Sequence, residues 1–168
     1  MTRLTLLSLL LSLSTPALAQ SPNTVWQYHR YVGASPLETS LFLVLGVPET
    51  DDMRAQGHCN IGANWIYADL LLDYDVSALN EGDSVEVEYA APGYRMFHDA
   101  TVVKQEEGTW GVQVAFALDD PIWSILQGPG PLSYQVPGGA EMALDLQGAS
   151  GPVAGFISDC RQIDDLKP

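Results

Sequence analysis

The chain has 168 residues, 46% of them hydrophobic, and carries 21 acidic against 7 Lys and Arg side chains, a net charge of −14 at neutral pH. So negative a field repels phosphate backbones and anionic membrane surfaces, which argues against nucleic-acid or peripheral lipid binding and favours cationic partners. The length suits one domain with a full hydrophobic core.

Met1 to Ala19 reads as a secretory leader: Arg3 gives a basic start, Leu4 to Leu13 is a short apolar run, and Ala17-Leu18-Ala19 is a small-residue cleavage site. The run is too short to span a bilayer at roughly 20 residues per helix, and no later stretch approaches that length. With the leader removed, 6 basic and 21 acidic side chains remain, a net charge of −15 on a single β domain over residues 20–168.

Gln20 to Asn23 reads as a flexible start. Val25 to Tyr31 alternates as a half-buried strand with Trp26 and Tyr28 on one face, and Ser40 to Val47 reads as a fully buried central strand. Gly57 to Gly62 places Cys59 between two glycines. Asn64 to Asp75 then reads as a long strand with Ile66, Ala68, Leu70 and Leu72 towards the core and Tyr67, Asp69 and Asp73 outward. Ser84 to Tyr89 is the clearest alternation, with Val85, Val87 and Tyr89 inward.

Tyr94 to Lys104 follows as a strand, and Glu106-Glu107-Gly108 turns into Trp110 to Leu118, which has a heavy face and a light one. Asp119-Asp120-Pro121 is a helix-start signal for about two turns ended by Gly128. Leu132, Tyr134 and Val136, then Met142, Leu144 and Leu146, form a hairpin around Pro137-Gly138-Gly139. A final amphipathic helix is expected with Ser150 as its cap and Pro152 in its first turn. Its Val153, Phe156, Ile157 and Cys160 recur on one face, and the polar Arg161 to Pro168 tail is expected to fray.

Seven or eight short strands with Pro/Gly turns predict an all-β fold, an antiparallel sandwich or partly closed barrel with two short helices at its rim. Two cysteines in an exported chain predict one disulfide, Cys59 to Cys160.

Candidate chemistry is sparse. Ser150 in Gly148-Ala149-Ser150-Gly151-Pro152 lacks the last glycine of a nucleophile elbow. His58 and Cys59, as strand neighbours, point to opposite faces. His29, His58 and His98 have no metal-ligand spacing, and Asp69, Asp73 and Asp75 lack the glycine and final glutamate of a calcium loop. No catalytic set, cofactor or metal is therefore assigned. The remaining lead is a binding surface of aromatics beside acids, comprising Trp65, Tyr67, Asp69, Asp73, Tyr94, Phe97 and His98.

The order of Trp26, Cys59 and the late run Leu144, Leu146, Gly148, Phe156 and Cys160 resembles two kinds of small exported bacterial β protein. These are the VasI-type proteins associated with type VI secretion and the invasion-associated locus B family. The resemblance covers most of the chain after the leader, and its motif is structural. It implies an envelope-associated, non-enzymatic domain, periplasmic or secreted, and carries over no catalytic residue. The leading expectation is thus a binding or accessory domain for a protein or envelope component. The alternatives are an inhibitor of a cationic hydrolase such as lysozyme, and a hydrolase with an unrecognised acidic or metal site.

Overall fold

A computed structural model describes residues 23–104 and 110–167. Nine strands form one antiparallel sheet: β1 (Val25–Tyr31), β2 (Ser40–Gly46), β3 (Met53–Ile61), β4 (Ile66–Asp73), β5 (Ser84–Ala91), β6 (Tyr94–Lys104), β7 (Trp110–Ala117), β8 (Pro131–Gln135) and β9 (Met142–Asp145). Two helices, α1 (Ile122–Leu126) and α2 (Ser150–Arg161), follow β7 and β9. The all-β class, the antiparallel pairing, the two helices and the disulfide are as expected from the sequence.

The spatial order is β1-β2-β3-β4-β7-β6-β5-β8-β9. β1 to β4 run as a meander; the chain then crosses over to β5 and winds back through β6 so that β7 pairs with β4, a Greek-key step. The sheet is not closed, but it curls until its edge strands are linked by one side chain, the Trp26 indole N–H donating to the Asp145 carbonyl at 2.7 Å. A bent single sheet therefore encloses the core, a sandwich-like, partly closed arrangement of the kind expected from the sequence.

The inner faces supply Leu41, Leu43, Leu45, Ala68, Leu70, Leu72, Val87, Tyr89, Val102, Val112, Val114 and Phe116, all buried. α2 closes the interior with Val153, Phe156, Ile157 and Cys160, the face its periodicity predicts. An aromatic chain crosses the core: Tyr28 meets Phe156 edge-on at 6.1 Å, Trp123 lies 5.9 Å from Phe156, and Phe116 lies 5.8 Å from Trp123. Cys160 is bonded to Cys59 with a Cα separation of 5.7 Å. The outer end of α2 is held by Asp159, which accepts from the Tyr28 hydroxyl at 2.7 Å and pairs with Arg30 at 2.8 Å.

Several local expectations change. β2 is not buried on both faces: Leu41, Leu43 and Leu45 point into the core while Phe42 and Val44, on the outer face of the sheet, are half-buried. The stretch around Cys59 is a nine-residue strand. Ser150 is the first helical residue, no side chain caps α2, and Ala149 precedes it with its carbonyl accepting from Val153 N–H. The tail does not fray throughout: Ile163 is buried within a single 3-10 turn over Ile163–Asp165. α1 has five residues, shorter than two turns, because Pro121 is outside it and Gln127 ends it. Trp110 belongs to the heavy face of β7 yet is 43% exposed, with the Lys104 ammonium 5.1 Å from its ring centre. The Glu106-Glu107-Gly108 turn lies outside the described residues.

Candidate functional site

The middle of the sheet presents to solvent the side chains that alternate away from the core. Register aligns Phe42 with His58, His58 with Asp69, and Asp69 with Ala115 across β2, β3, β4 and β7. Asp69 is 7% exposed and is the one polar or charged residue among the described residues that is buried. Its Oδ1 accepts from the His58 backbone N–H at 3.2 Å and lies 3.4 Å from His58 Nδ1. Its Oδ2 accepts from Asn60 Nδ2 at 2.8 Å and from Gln113 Nε2 at 2.9 Å. Both oxygens are thus engaged, and the carboxylate is fixed in place by donors from the two neighbouring strands, β3 and β7.

Beside this carboxylate, Tyr67, Asp99, Thr101, Gln113 and Ala115 complete a depression of ≈ 250 Å³. It forms where β6 parts from β7: their pairing runs from Thr101↔Gln113 to Lys104↔Trp110, and Asp99 and Phe97 lie beyond it. Tyr67 extends the wall outward by stacking on Trp65, with ring centres 4.5 Å apart and planes 25° from parallel. Trp65 is 55% exposed, so the Tyr67–Trp65 wall is aromatic and open to solvent while Asp69 and Asp99 make the lining acidic; Phe97, 49% exposed, lies two residues before Asp99 on the same face of β6. The His58 ring is steadied from the other side by Phe42, edge-on at 5.0 Å.

The seven surface residues expected from the sequence divide into three groups. Trp65, Tyr67, Asp69 and Phe97 lie on this outer face. Asp73 is on the same face of β4 but is drawn to Arg54, whose Nη1 donates to its Oδ2 at 2.8 Å. Tyr94 and His98 take the inward phase of β6 and lie beneath the sheet, His98 packing 4.8 Å from the Phe116 ring. Asn60, Asp99, Thr101 and Gln113 complete the outer site. Asp99 and Thr101 share Phe97's phase on β6, and Gln113 is on the light face of β7, but only the β4–β7 pairing sets Gln113 against Asp69.

Among the described residues no three His, Cys, Asp or Glu side chains converge, and no helix is long and apolar enough to cross a membrane. No protein-family model matches the chain, and neither a curated protein nor a solved structure matches it.

Proposed function

We propose that the chain is an exported, non-catalytic binding domain of the cell envelope, and that the outer face of β4, β7 and β6 takes a cationic group of a protein partner. The observation that carries this reading is the depression floored by Asp69 and Asp99 and walled by the Tyr67–Trp65 stack. A Lys or Arg side chain satisfies both parts: carboxylates neutralise it, and an aromatic face attracts it by about 0.5–2 kcal/mol. The overall charge of −14 steers such a partner inward over a longer range. Asp69, saturated by His58, Asn60 and Gln113, supplies charge and shape and is poorly suited to shuttle a proton. Export rests on the leader pattern and on the disulfide.

The test is a pull-down from envelope extract with the wild-type protein and with a Trp65→Ala/Asp99→Asn variant, at low and high ionic strength. The expected result is a protein partner retained at low salt, released as the Debye length shrinks, and lost by the variant. A partner that the variant holds equally well would remove this surface from the reading. Inhibition of lysozyme by the wild-type protein and not by the variant would identify the partner as a cationic hydrolase.

A further inference from the structure

The outer depression is rich in unengaged acceptors and poor in donors. Tyr67, Asp69, Asp99, Thr101, Gln113 and Ala115 line it, and none of them is a Lys, Arg or His. Gln113 gives its Nε2 to Asp69, which leaves its Oε1 as an oriented acceptor. Thr101 is paired directly with Gln113 across β6 and β7, and Asp99 stands on the same face of β6. Among the described residues, neither the Thr101 hydroxyl nor the Asp99 carboxylate has a side-chain partner. The chain's own cations do not reach them: Arg30, Arg54 and Arg95 are held by Asp159, Asp73 and Glu88. Asp99 is moreover set directly opposite Glu86 in the β5–β6 register, and like charges so placed repel.

Granted that this face takes a cationic group, as proposed above, we infer that the group is an arginine side chain of the partner, held over Ala115 between Tyr67, Asp99, Thr101 and Gln113. Ala115 is what opens the space. It lies on β7, between the strands of Asp69 and Asp99, and pairs with Asp69. Its methyl leaves unfilled a position that a longer side chain would occupy. Donor geometry selects the guest. Asp69 is saturated, so the ion pair falls to Asp99, whose two oxygens match the fork of a guanidinium. Gln113 Oε1 and the Thr101 hydroxyl stand on neighbouring strands about 4.8 Å apart, a width that a planar fork of N–H groups bridges and a compact ammonium does not. The Tyr67 ring supplies a flat wall for the guanidinium plane. That wall is set in advance: Trp65 stacks on Tyr67, and the Gly62 N–H bond to the Trp65 carbonyl at 2.8 Å closes the turn between β3 and β4. A lysine would satisfy Asp99 and leave the other acceptors to water.

The experiment titrates the purified, disulfide-intact protein with two peptides of equal charge, acetyl-Gly-Arg-Gly-amide and acetyl-Gly-Lys-Gly-amide, at low ionic strength, following backbone amide NMR shifts. The arginine peptide should shift Tyr67, Asp99 and Ala115 saturably and bind at least about fivefold tighter than the lysine peptide. Ala115→Leu fills the depression without altering any charge and should weaken the arginine peptide at least about fivefold. Asp99→Asn should abolish the preference for arginine, whereas Asp164→Asn, which removes the same charge from an exposed site elsewhere, should leave it intact. Ala115 and Asp99 are both exposed, and the dispersion of each variant's spectrum reports that it is folded. Equal affinity for the two peptides at these residues would overturn the arginine assignment while leaving the cationic surface in place. Binding indifferent to both Ala115→Leu and Asp99→Asn would overturn the depression as the seat. Failure of either peptide to bind would overturn both this assignment and the cationic reading beneath it.

Discussion

Asp69 illustrates how one side chain can hold strands together and still shape a surface. It is the acceptor for an amide from β3, an amide from β7 and the backbone of His58, in a place where little water can replace it. Asp69→Ala should therefore strand three donors at once and destabilise the protein by about 1–3 kcal/mol. Asp69→Asn keeps one acceptor oxygen and should cost less. Urea unfolding decides this through a lowered midpoint at unchanged slope; an alanine variant within about 0.5 kcal/mol of wild type would mean that the surrounding amides find other partners or water.

At the scale of the element, α2 is tied to the sheet by the Cys59–Cys160 bond, which closes a sequence separation of 101 residues. Loop-closure entropy for that length is worth up to ~4.7 kcal/mol, comparable to much of a domain's stability. A Cys59→Ala/Cys160→Ala variant should lose several kcal/mol in chemical unfolding, and the wild-type mass should be unchanged by alkylation until a reductant is added. A two-thiol adduct without reductant would refute the bond. The helix face and both cysteines are legible in the sequence because Val153, Phe156, Ile157 and Cys160 follow helical spacing. β3 is not, because its inward positions are Ala55, Gly57 and Cys59, too small to mark a period of two; a side chain on Gly57 would begin 3.0 Å from Leu70. The candidate site was legible along β4, where Tyr67 and Asp69 alternate with apolar residues. It was not legible across strands, since Gln113 and Asp69 meet only through a pairing between β4 and β7 that local pattern does not encode. Tyr94 and His98 looked outward because polar side chains usually are, and here the inner phase of β6 carries them.

For the whole molecule, enclosure by a single curled sheet places tyrosine hydroxyls where ionisation is costly. Burial raises the pKa of Tyr28, Tyr89, Tyr94 and Tyr134 above the ordinary value of 10.0; the Asp159 hydrogen bond adds to the effect at Tyr28 and the Asp73 charge at Tyr134. Below pH ~10 both folded and unfolded chains keep these protons, and the contribution to stability is fully present. Above it the unfolded chain ionises first, so it binds fewer protons than the native state and stability falls with rising pH. For Tyr94 the loss runs from about 10 to about 12, and the other three tyrosines continue beyond it. Urea midpoints measured between pH ~8 and ~11.5 should be flat at first and then decline, with tyrosinate absorbance appearing together with unfolding. General repulsion within a chain of net charge −14 also grows in alkali, but salt screens that term and leaves the desolvation of a buried phenolate largely untouched. The decline should therefore persist at high ionic strength and become shallower in Tyr94→Phe. Complete tyrosine ionisation near pH ~10 with the fold intact would show that water reaches these hydroxyls and that the sheet does not seal the interior.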